Sequence, residues 1–129
     1  MASTTIRTDR VRLALLLNRK TGTTVEEFRR YWAEVHGPLI ASIEIVKKNL
    51  LKYEQAYPNA ELQAALKAGG ANVPDLDWDG MAILEAESYA KIVETMQNEE
   101  FKNLGMADVD KFVSEMRLIP LDLLTVVDK

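Results

Sequence analysis

The sequence predicts an α+β fold in which a four-stranded antiparallel sheet carries helices on one face. Two observations carry this reading. Residues 11–18, 50–57, 80–86 and 118–127 are short runs, apolar or alternating, bounded by turn residues as strands are. Between them, apolar residues recur at helical spacing. The order is β-α-β-β-α-β with extra helical pieces in both crossovers, which is the ferredoxin-like split βαβ arrangement. Residues 1–10 are polar and are expected to be a flexible N-terminal segment, leaving 11–129 as the domain.

Each element has its own signal. The Leu-rich run at 11–18 stops at the turn Lys20-Thr21-Gly22. Thr24 with Glu27 three residues on forms a capping box and opens a helix. On a wheel of 100° per residue, Val25, Phe28, Trp32, Val35 and Leu39 share one face, with His36 at its edge. Gly37 and Pro38 are expected to break or bend this helix, since Gly tolerates a left-handed backbone and Pro lacks an N–H. A second helical piece over 39–48 carries Ile40, Ile43 and Val46. In the strand at 50–57, Leu51, Tyr53, Gln55 and Tyr57 fall on one face. Residues 60–68 are an Ala- and Leu-rich helix stopped by Gly69-Gly70, and 72–79 form a loop.

The third strand, 80–86, sets Met81 and Ile83 against Ala82, Leu84 and Ala86. Ser88 caps a helix striped with Tyr89, Ile92, Val93 and Met96. Residues 99–106 continue irregularly through Phe101 and Leu104, and a last helix over 108–116 turns Val109, Phe112, Val113 and Met116 inward. The strand at 118–127 closes the chain, with Pro120 marking an edge.

Composition excludes several function classes. The chain has 129 residues, enough for one domain with a modest core. Its net charge of −4, without a basic cluster, argues against nucleic acid. The apolar run Leu13 to Leu17 is too short to span a bilayer, and the N-terminus does not read as a signal peptide. Without cysteine there are no disulfides or thiolate metal sites, which fits the cytoplasm. One histidine and scattered carboxylates leave no set of ligands at metal spacing. Gly69-Gly70 lacks a phosphate-loop context, so no nucleotide cofactor is expected. The sheet face away from the helices reads as largely apolar or aromatic in either register. Covering it calls for a second copy packed face to face, since no internal repeat supplies one.

Phe28-Arg29-Arg30-Tyr31-Trp32 followed by Val35-His36-Gly37-Pro38-Leu39 resembles the signature of the EthD family, within the dimeric α+β barrel superfamily. Trp78-Asp79-Gly80-Met81-Ala82 and the later Phe101 are similar to the family's fungal members. The resemblance implies a homodimer with a pocket inside each half barrel, roofed by helices. It further implies a tailoring enzyme of aromatic polyketides, such as a decarboxylase, dehydratase or cyclase, or a lactone isomerase, working without metal or organic cofactor.

His36 leads the candidate residues, because imidazole titrates near neutral pH and suits proton transfer; its plainer role would be to cap helix carbonyls. Tyr53 and Tyr57 can orient an enolate or phenolate oxygen, or simply pack the sheet. Asp79 can orient His36 or act as a base, or serve as a turn residue. Trp32 can stack on a planar ring, and Trp78 can close a pocket as a lid. Glu85 shares its strand face with Met81 and Ile83, where burial would make it useful chemically. Arg29 can bind a substrate carboxylate or pair with Glu26, and Phe28 and Phe101 complete the binding set. Together these residues point to a cofactor-free lyase acting on an aromatic or polycyclic polyketide intermediate. The alternatives are a cofactor-independent monooxygenase of phenolic or anthrone substrates, and a non-catalytic barrel that holds a hydrophobic ligand.

Overall fold

A computed structural model describes residues 4–129 of the chain. Strands β1 (Val11–Arg19), β2 (Leu50–Ala56), β3 (Gly80–Ala86) and β4 (Val113–Asp122) form one antiparallel sheet in the order β2-β3-β1-β4. The first crossover carries α1 (Val25–Tyr31), a π-helical segment π1 (Trp32–His36), α2 (Gly37–Ser42) and α3 (Glu44–Asn49). The second carries α5 (Tyr89–Gln97), a second π-helical segment π2 (Phe101–Met106) and α6 (Ala107–Val109), while α4 (Ala60–Ala68) lies in the β2–β3 connection. This is the α+β, ferredoxin-like fold expected from the pattern. The last strand is an edge strand, which is where Pro120 can sit without a missing ladder bond.

The core lies between sheet and helices. Leu13, Leu15 and Leu17 of β1 and Ala82 and Leu84 of β3 meet Phe28, Trp32 and Phe112 there. A second cluster joins Ile40, Ile43 and Val46 to Phe101. Gly80 is a close approach: a Cβ there would come within 2.5 Å of the Trp32 ring, so the indole lies on bare backbone.

Four local expectations are corrected. The helix does not break at Gly37-Pro38: Gly37 is right-handed (φ −55°) and the chain stays helical to Ser42, breaking only at the extended Ile43. In π1 the Gly37 N–H bonds to the Trp32 carbonyl five residues back, so the turn holds one extra residue. That residue rotates everything after it by about 100° relative to a plain wheel. His36 and Ile40 therefore face inward, while Val35 is exposed. The spacing that suggested a helix over 108–116 is overridden by pairing with β1: the chain turns after Val109, and β4 starts at Val113 opposite Arg19. In β2 a register shift between Leu50 and Lys52 turns Leu50 to the core and leaves Leu51 exposed.

The outward sheet face is mixed rather than greasy. Ala14, Leu16, Met81, Ile83, Ile119 and Leu121 form an apolar strip by register. Arg12, Lys52, Glu54, Glu85, Glu115 and Arg117 flank it, and the strand aromatics point the other way. Alternation along β2 is the reason, since Tyr53 and Gln55 face the core opposite Leu84 and Ala82.

Candidate functional site

The two π-helical segments bring together residues that are 72 apart in sequence. π1 presents His36, and π2 leads through the buried Gly105 to Asp108 on α6. A Cβ on Gly105 would come within 2.8 Å of Ile40, so glycine lets the second crossover close on the first. His36 and Asp108 are both about 5% exposed, and Nδ1 of the imidazole lies 2.9 Å from Asp108 Oδ2. The Tyr31 hydroxyl donates to the other oxygen, Oδ1, at 2.8 Å, and the Lys111 ammonium stands 3.5 Å from it. Tyr31 and His36 are five apart, a spacing that the π turn brings onto one side of the helix. Phe112 packs against both rings, with centroids 5.0 Å from each.

The charges follow from this arrangement. Burial lowers the His36 pKa below its ordinary 6.5, and Asp108 pulls it back only in part. Burial alone would raise Asp108, but the hydrogen bonds from His36 and Tyr31 prevail and hold it below 3.8. Burial, together with the bond to Asp108, pushes the Tyr31 phenol up to about 12. At neutral pH the site is thus a neutral imidazole, an ionised carboxylate and an un-ionised phenol. A carboxylate only accepts, so Nδ1 carries the proton and donates it. The other nitrogen, Nε2, keeps its lone pair and has no hydrogen-bond partner among the described residues. A carboxylate that fixes the tautomer and direction of an imidazole in this way prepares it as a base.

His36 borders a cavity of about 20 Å³ whose wall includes Leu15, Leu17, Trp32, Tyr53 and Phe101. This is room for about one water. Met106, Val109 and Met116 complete its lining. A larger, apolar groove of about 450 Å³ runs between α5 and the β1–β4 edge, lined by Leu13, Ile92, Met96, Leu118 and Pro120. It lies one inward position further along the same strands, since Leu13 follows Leu15 and Leu118 follows Met116.

Of the sequence candidates, His36, Trp32, Tyr53 and Phe101 come together at this cavity. Tyr57 stands behind it, donating to Gln55 at 2.7 Å with its ring edge-on to Trp32. Phe28 is core, stacked between Trp32 and Phe112. Arg29 neither pairs with Glu26 nor reaches the cavity; it lies over the Tyr57 ring and donates to the Pro58 carbonyl. Asp79 does not orient His36, because both its oxygens bind Arg19, through the main-chain N–H and the guanidinium, at 2.8 Å. Trp78 is half-buried in the loop before β3, away from the cavity lining. Met81, Ile83 and Glu85 lie on the opposite sheet face, because β3 alternates and Ala82 and Leu84 take the inward positions. There Glu85 is bound by Arg12 at 2.7 Å and faces Arg10 at 3.5 Å.

Sequence reasoning missed Asp108, and gave Tyr31 no role although it stands in the quoted motif. The usable signal was the five-residue spacing of Tyr31 and His36 just before Gly37-Pro38, a spacing that one widened turn brings onto one side of the helix. Among the described residues no group of three or more His, Asp or Glu is arranged to hold a metal ion, and no helix is long and apolar enough to cross a membrane.

The EthD domain model matches residues 20–115. No curated protein matches the chain. Among solved structures, an EthD family protein from Bacillus halodurans C-125 is similar at a TM-score of 0.64 and 16% identity, over 89% of this chain and 99% of that one. An EthD-like protein from Ralstonia eutropha JMP134 gives 0.60 and 12%, over 94% and 96%. A dimeric protein of unknown function with a ferredoxin-like fold from Bacteroides fragilis gives 0.57 and 11%, over 92% and 100%. At these identities the likeness shows the fold.

Proposed function

This chain belongs to the EthD family, and on that premise we propose that it is a cofactor-free lyase acting on an aromatic polyketide intermediate by decarboxylation, dehydration or ring closure. The observation that supports this most is the buried imidazole of His36, its Nδ1–H committed to Asp108 and its Nε2 free beside an apolar cavity. All three reactions need a proton moved at a carbon next to a carbonyl while charge grows on oxygen. A neutral imidazole in a desolvated site can take that proton, and the imidazolium formed is stabilised by Asp108. The enzyme works in the cytoplasm as a homodimer closed through the outward sheet faces. The apolar strip on that face supports this, as does the dimeric state of the Bacteroides relative.

Product mass tests the reaction. Incubated with aromatic β-keto acids and β-hydroxy ketones, the native chain should give loss of carbon dioxide or water, and His36→Gln should not. Gain of oxygen would redirect the assignment to a monooxygenase. A second reading, a barrel that binds a hydrophobic ligand without chemistry, is favoured by the open apolar groove of about 450 Å³. Tight binding with unchanged mass would select it.

A further inference from the structure

Two hydrogen-bond donors beside His36 lack acceptors, and the network behind them explains how they come to be free. Tyr57 donates to Gln55 Oε1 at 2.7 Å, and Gln55 Nε2 donates to the main-chain carbonyl of Trp32 at 2.9 Å. A carbonyl can only accept, so the orientation of the amide is fixed. Gly37 makes this contact possible, since a Cβ there would stand 3.1 Å from Gln55 Nε2. The same Nε2 donates to the Tyr53 hydroxyl at 3.2 Å. That oxygen therefore accepts, and its own proton has no acceptor among the described residues. Trp32 is fully buried, and its indole Nε1–H has no partner either. Burial raises the Tyr53 phenol, while the Gln55 amide and the Trp32 indole pull the other way. Native interiors hold few buried donors without acceptors. Trp32 and Tyr53 both line the cavity on which His36 opens.

We propose that the Trp32 Nε1–H and the Tyr53 O–H together bind a carbonyl oxygen of the ligand, and that the reacting group is a ketone whose oxygen neighbours the carbon facing His36. This rests on the reading of His36 as the proton carrier. When Nε2 takes the proton from carbon, the C–H electron pair becomes the new C=C bond and the carbonyl π pair moves onto oxygen. The enolate oxygen then lies against two donors held in the cavity wall before the reaction starts. The cavity admits that oxygen alone; Met106 and Met116 on its wall are thioether side chains able to yield to the attached ring.

The test uses the full ¹⁵N-labelled chain with pentafluorophenolate, and with pentafluorobenzene as the same ring without the oxygen. The chain has two tryptophans, so Trp78→Phe assigns the Trp32 indole signal. Phenolate should move that proton downfield and leave the Trp78 signal in place, and pentafluorobenzene should not. Replacing Trp32 by 3-benzothienylalanine, which puts sulfur in place of N–H within the same outline, should weaken phenolate binding about tenfold or more. Binding of pentafluorobenzene should be unchanged. Phenolate that perturbs the His36 ring but not the Trp32 N–H overturns the oxygen site and leaves the His36 reading standing. So does an isostere that binds phenolate as tightly as the native chain. Probes that disturb neither residue at millimolar concentration overturn both. If the isostere fails to fold, the native titration decides alone.

Discussion

Asp108 and Glu85 are equally hidden, each about 5% exposed, but they lie on opposite sides of the sheet with different partners. Asp108, under the helices, accepts from an imidazole and a phenol, groups that can exchange protons. Glu85, on the outward face, accepts from Arg12 and faces Arg10, whose guanidinium groups stay charged throughout the working range of a protein. Burial alone therefore does not mark a functional carboxylate. A buried acid held by arginine is an anchor; one held by histidine can be part of a proton path.

Breaking the helix side at its centre should have the largest effect. His36→Gln, which hydrogen-bonds but cannot titrate, should lower turnover on the order of 10²- to 10⁴-fold with the circular dichroism spectrum unchanged. Asp108→Asn should cost about 10- to 100-fold by freeing the imidazole to adopt the wrong tautomer, and it should distort the pH profile. On the other face, Glu85→Gln should leave turnover near native. Because Arg12 is about a third exposed, the stability loss there should be modest, about 1 kcal/mol in urea unfolding. A large loss of turnover in Glu85→Gln would erase the contrast between the two acids.

The pH dependence sharpens the same contrast. The folded chain favours neutral His36, so this contribution to stability is complete above pH 6.5 and is lost as pH falls from there toward the lowered folded value. Activity with His36 as base should fall as pH passes down through that lowered folded value, measured as an acid limb of kcat/KM. Asp108, also depressed, adds a loss of the same sign below 3.8. The smallest effect belongs to Tyr31→Phe, about 1 kcal/mol by thermal unfolding. With its pKa raised to about 12, the stability due to the un-ionised phenol is intact below pH 10 and lost as pH rises toward that value.

Much of the fold was legible because alternation and helical spacing are local properties. The capping box at Thr24 and Glu27, helix 60–68 and strand 80–86 all follow from adjacent residues. The site was legible only in half. His36 was visible as the single histidine in a family-like motif, but its inward direction was hidden by a wheel that assumes regular turns. Asp108 was invisible because only the tertiary meeting of the two π segments joins it to His36. The spacing of Val109, Phe112 and Val113 misled for a related reason, since these residues are inward both in a helix and in the turn-then-strand that forms. Glu85 and Asp79 were legible as acids, but their arginine partners come from the neighbouring strand β1.

π1 also bears on how the first crossover can absorb a change in length. Its turn holds one residue more than an α-turn, and the surplus falls on the exposed stretch Ala33-Glu34-Val35. Deleting one of these would leave an ordinary α-helix with both flanks still in register, Tyr31 and His36 four apart and on one face. Chains with three residues between the tryptophan and the histidine, as here, and chains with two can therefore hold the imidazole in the same place. A search of genomes keyed to one fixed gap would divide such chains into two families where the geometry recognises one.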